Sequence, residues 1–172
     1  MQDFARRRTA TSSPDLLRFL PPPPLFVLQP LLHFVVRRIA EKHPALFDRL
    51  GPHRKARFVI DPRGLPFALL LVPDPEALVL QAVARSREPE NDARIAGRFL
   101  DLLGLVDGAA DGDALFFSRE LEISGDTEAV VCLRNALDDV EHSIAEDVAG
   151  LFGAPGRLAL DMLRRARRND GD

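Results

Sequence analysis

The chain has 172 residues, 46% of them hydrophobic and 28% charged, with a formal net charge of −3; this is the balance of one globular domain with extensions and a sizeable core. Its single cysteine, Cys132, excludes an intramolecular disulfide framework and a multi-cysteine zinc site. Residues 1–63 hold 12 basic and 5 acidic side chains, residues 64–150 hold 6 and 18, and the tail from 151 holds 5 and 3, so an anionic partner would meet the ends, and nucleic-acid binding by the acidic body is not expected.

Residues 1–13, polar and arginine-rich, read as a disordered arm. Arg6, Arg7 and Arg8 look superficially like the start of an export signal, but Asp15, Arg18 and the prolines Pro21 to Pro24 interrupt the apolar stretch behind them. No apolar run approaches the ~20 residues of a membrane span, so a cytoplasmic protein without export is expected. Residues 14–50 read as a Pro-rich helical extension. Ser13 can cap a first helix opened by Pro14, and the proline run then makes a rigid elbow. A longer helix follows, with Leu28, Leu31, Leu32, Val35, Ile39 and Leu46 on one face and Arg37, Arg38, Glu41 and Lys42 on the other. Pro44 ends or breaks it. A helix this apolar must lie against the domain, a partner or a membrane.

Residues 51–150 read as the domain body. Strand-like runs cover Arg57 to Ile60 and Leu65 to Val72; Ala77 to Arg85 is ambiguous between strand and helix; Asp92 to Gly97 is a short strand. The stretch from Arg98 to Val106 is a short helix with Phe99, Leu102, Leu103 and Val106 on one side. The run from Phe67 to Val72 is apolar at every position, which predicts cover on both faces of that strand. The second cover would be helix, subunit or ligand. Between Glu120 and Ser124 apolar and polar residues alternate, as in a strand with one buried face. Gly125 permits a change of direction, Asp126 or Thr127 caps the next helix, and Val130, Leu133, Leu137, Val140 and Ile144 form its apolar stripe. Residues 151–172 form a basic tail, either disordered or an amphipathic helix with Leu158, Met162 and Leu163 opposite Arg157, Arg164 and Arg168. Solvation and peripheral contact with an anionic inner membrane are both open to it.

The acidic turn at Gly125–Glu128 has a sufficient structural explanation as a helix cap. Asp138, Asp139 and Glu141 read as a solvated helix flank. Asp139 and His142 have the spacing of a helical metal site, but no second acid-x-x-His pair accompanies them. His33, His43 and His53 are scattered, and neither a nucleophile elbow nor a phosphate-binding glycine loop occurs. Cys132 reads as a small buried apolar residue. A non-enzymatic protein without metal or cofactor is expected, with a structural module that binds another protein as one alternative.

The segment from Asp113 to Glu141, above all Leu115 to Glu128 and Asn135 to Glu141, resembles the signature region of bacterial lipid-binding proteins with a sterol-carrier-protein type-two domain. Together with the proline-rich leader from Pro14 to Leu50, it is similar to the branch that serves oxygen-independent ubiquinone biosynthesis. The resemblance implies an α+β fold: an antiparallel sheet of about five strands packed by helices around an apolar lipid cavity. It implies a non-catalytic accessory role, binding an isoprenoid lipid or ubiquinone precursor and presenting it to quinone-biosynthesis enzymes. The lining residues it suggests are Phe67, Leu69, Leu71, Phe116, Phe117, Leu121, Ile123, Val130, Leu133 and Leu137.

Overall fold

A computed structural model describes residues 25–87, 89–107, 121–140 and 143–170. The Ser13 cap, the proline run, and the positions of Glu120, Glu141 and His142 lie outside these residues. Helix α1 spans Leu25–Lys42 and α2 spans Ala45–Leu50, with a 3-10 turn at Gly51–Lys55. Strands β1 (Phe58–Arg63), β2 (Phe67–Val72), β3 (Val79–Ala84) and β4 (Ala93–Arg98) follow, then α3 (Phe99–Asp107), β5 (Glu122–Gly125), α4 (Thr127–Asp138), α5 (Ile144–Leu151) and α6 (Gly153–Asp170).

The five strands form one sheet in the order β3-β2-β1-β4-β5. The expected antiparallel arrangement holds for three of the four pairings; β1 and β4 run parallel. The cause is topological. After the β1-β2-β3 meander the chain returns through residues 85–92 to the far side of β1, and β4 enters in the direction of β1. Pro62 sits where the β2 pairing of β1 has already ended at Ile60, so its missing N–H costs nothing on that side. The ambiguous stretch after Ala77 is strand β3, held in register with β2 from Val72↔Val79 to Phe67↔Ala84.

The all-apolar β2 run divides as its alternation dictates. Ala68 and Leu70 are buried on one face in a small cluster with Val59 and Val83. Leu69 and Leu71 point to the helical face, where Phe58, Ala93 and Ile95 of the sheet meet Leu46, Phe47 and Leu50 of α2 and Ala129, Val130, Leu133 and Ala136 of α4. Asp61, also buried, is neutralised on the outer face by Arg85 and Arg94.

Helix α1 turns inward the face expected of it, with Leu28, Leu32, Val35 and Ile39 half-buried around the buried Val36, whereas Leu31 is exposed. It is tied to the sheet edge by Gln29, whose amide donates to the Ala82 carbonyl at 2.7 Å. The stripe read as one helix from Val130 to Ile144 is two. Helix α4 ends at Asp138, and Ser143 caps α5 by accepting from the Glu146 amide at 3.2 Å. Ser143 supplies the oxygen that a new helix start needs. The tail is helical over Gly153–Asp170 and packs against α5.

Candidate functional site

Between the sheet and the six helices lies a cavity of about 540 Å³. Its floor is the helical face of the sheet, with Ile60, Leu69, Leu71 and Leu80. One wall is α1, contributing Val35, Val36, Ile39 and Ala40; α3 adds Phe99, Leu103 and Val106, and α4 adds Leu133 and Leu137. The other wall is α5 with Ala145, Val148 and Ala149, backed by Ala159, Leu160 and Leu163 of α6. Helices α5 and α6 approach closely because Gly156 has no side chain: a Cβ there would collide with the Ala149 carbonyl. The volume falls in the range of small-molecule and cofactor sites, about 300–1,000 Å³. Its lining is apolar except for His43.

Of the residues named in advance, Leu69, Leu71, Leu133 and Leu137 border this cavity. Leu121 and Val130 belong to the main core cluster, and Ile123 packs on that cluster opposite Ile95. Phe67 is half-buried at the start of β2, paired with Ala84 and away from the cavity. Phe116 and Phe117 lie outside the described residues. Of the residues that α5 and α6 contribute, only Ile144 and Leu163 were marked in the sequence, and only as apolar helix faces. Helical periodicity marks a buried face, and it does not say whether that face meets side chains or a hollow.

Three polar arrangements surround the cavity. Asp107, fully buried at the end of α3, accepts from Arg164 at 2.6 and 2.9 Å and from the Ser143 hydroxyl at 2.8 Å. Burial pushes its carboxyl up, but the hydrogen bonds from Arg164 and Ser143 and the charges of Arg164 and Arg167 outweigh this and hold it below the ordinary carboxylate range. The network fastens α3, α5 and α6 together behind the cavity. It also removes Arg164 from the exposed basic face expected of the tail, while Leu163 turns inward and Leu158 and Met162 stay exposed.

His43 and Lys42 both bind Asp147 of α5, His43 Nε2 lying 2.6 Å from its Oδ2. The acidic turn is a cap, as its spacing suggests: the Asp126 carboxylate accepts from the Ala129 amide at 3.0 Å. Asp139 is engaged by Arg49. Among the described residues no group of His, Cys, Asp and Glu could hold a metal ion, and Cys132 is half-buried in α4 rather than buried. No helix among them is long and apolar enough to cross a membrane.

Comparison with known proteins gives the geometry a context. No curated protein matches the chain. Among solved structures it is similar to a protein titled UbiJ-SCP2 ubiquinone synthesis protein (21% identity, 69% of this chain and 93% of that one, TM-score 0.48). It is also similar to sterol carrier protein 2 from Yarrowia lipolytica (12%, 66% and 91%, TM-score 0.43) and to the sterol carrier protein domain 2 of Helicoverpa armigera (14%, 67% and 91%, TM-score 0.43). The model of the SCP-2 sterol transfer family matches residues 36–138, well over half of the chain. By that match the chain belongs to the SCP-2 sterol transfer family, the lipid-binding domains of that name.

Proposed function

We propose that this protein is a non-catalytic accessory factor of ubiquinone biosynthesis that holds an isoprenoid quinone precursor in the cavity and presents it to the biosynthetic enzymes. The observation that carries the lipid part is the cavity itself, apolar on every side but one. Burying each CH₂ of an isoprenoid tail contributes about 0.8 kcal/mol. Several prenyl units are therefore held firmly by shape and apolarity, with no reactive group needed. The quinone part, and the oxygen-independent branch of the pathway, rest on the sequence likeness of Asp113–Glu141 and the proline-rich leader to UbiT.

The experiment is native mass spectrometry with lipid identification on protein purified from bacteria grown without oxygen. The expected result is a single isoprenoid lipid per chain. Empty protein that also takes up no added prenylphenol would sink the reading.

A second reading, an interaction module with no lipid ligand, is favoured by one observation. Phe26, Val27, Leu31 and Phe34 of α1, and Leu158 and Met162 of α6, are exposed apolar side chains that a protein partner would cover. Exposed Arg157, Arg165 and Arg168 beside the latter pair equally suit a peripheral membrane contact. Sedimentation with anionic vesicles, against a protein pull-down, separates these two occupants.

A further inference from the structure

The one polar side chain in the cavity wall sits where α1 gives way to α2, just before Pro44. It is His43, and its surroundings fix which of its nitrogens carries the proton. Nε2 lies 2.6 Å from the Asp147 carboxylate, whose second oxygen is held by the Lys42 ammonium. The two side chains are only 15% and 12% exposed, so water competes weakly for either. Burial pushes the Asp147 carboxyl up, but the hydrogen bonds from Lys42 and His43 and the charge of Lys42 outweigh it and keep it ionised. An ionised carboxylate can only accept, so Nε2 is the donor. In the neutral ring this leaves Nδ1 as a bare acceptor, and among the described residues no hydrogen-bond donor meets it.

We propose that His43 Nδ1 is the head-group acceptor of the cavity, so that the preferred ligand is a long-chain amphiphile whose polar end carries a hydroxyl, with Lys42 and Asp147 positioning the ring. A phenol or alcohol donates its proton to Nδ1 in a hydrogen bond. An ether, an ester or a quinone carbonyl has no proton to give and leaves that nitrogen buried without a partner. The assignment rests on the lipid-binding reading of the cavity and adds to it a choice between head groups that share one tail.

Binding of para-dodecylphenol and of its methyl ether to the full chain, measured by calorimetry, tests it. The wild type is expected to prefer the phenol by about tenfold, the size of one hydrogen bond in a sheltered site. His43→Phe is expected to abolish the preference, so that it binds the two compounds equally; His43→Leu serves if that variant does not fold. Nitrogen-15 NMR of the wild-type imidazole, which needs no variant, is expected to show the Nε2–H tautomer. Equal binding of both compounds by the wild type, a preference that survives in the variant, or an Nδ1–H tautomer would overturn the head-group assignment and leave the cavity reading standing. Failure of both compounds to bind the wild type would bring down the cavity reading and the assignment with it.

Discussion

At Gly125 the chain leaves β5 with φ +82°, and a Cβ there would run into the Asp92 carbonyl, which accepts from the Asp126 amide at 2.8 Å. The next residue, Asp126, caps α4. These adjacent positions do different things, and their variants should differ accordingly. Asp126→Ala removes one cap and is expected to lower unfolding free energy by about 1 kcal/mol. Gly125→Ala forces both a strained backbone and a collision, and is expected to cost more, about 2–3 kcal/mol. Urea titrations of the two variants check the order; a Gly125→Ala loss smaller than that of Asp126→Ala would mean the joint is not as tight as its geometry. The joint was legible in the sequence, with the cap narrowed to Asp126 or Thr127, because a glycine followed by a capping oxygen and an apolar helical stripe marks a strand turning into a helix. His43 was not. Its partner Asp147 is 104 positions away, and a lone histidine ahead of a proline carries no sign of what it will face.

Among the elements, α4 and the strands other than β3 followed from alternation and periodicity, whereas the restart at α5 and the docking of α6 followed from contacts that no local pattern reveals. The apolar stripe through Val140 to Ile144 continues in letters across a break in the backbone, and only Ser143 marks the restart. What holds those helices is the buried Asp107 network, so its removal should separate them. Asp107→Ala leaves Arg164 and Arg167 without their shared anion and is expected to destabilise the fold by about 3–5 kcal/mol, the usual cost of breaking a buried pair. Its pH dependence has a definite sign. The folded carboxyl binds its proton less readily than the unfolded one, so its contribution is complete above the ordinary aspartate range, near about pH 4. The contribution is then lost as pH falls further. Thermal unfolding from neutral pH downward should show a steeper acid-side decline in the wild type than in Asp107→Ala. The variant keeps the part due to Asp147, whose carboxyl is lowered in the same sense. Identical slopes would mean the network does not form.

For the whole molecule the question is whether the space between sheet and helices is a hollow for a guest or a loosely packed core. The two make opposite predictions for added bulk. Ala40 on α1 and Ala145 on α5 border the cavity from opposite walls, and neither is exposed. In a filled core each replacement by Phe overpacks its surroundings and costs about 1–3 kcal/mol. In a hollow the new ring occupies empty space, gains apolar contact and leaves the thermal midpoint unchanged or raised. It then competes with the guest, so uptake of a long-chain phenol should weaken by at least about tenfold, equivalent to 1.4 kcal/mol of binding. Ligand linkage gives the complementary signal: at a hundred times its dissociation constant the guest should stabilise the wild type by about 2.7 kcal/mol and the double variant by far less. Sequence could not decide this point, since Leu69, Leu71, Leu133 and Leu137 would be written identically for either interior. A double variant that unfolds easily, with ligand stabilisation absent from the wild type, would place those leucines in an ordinary core.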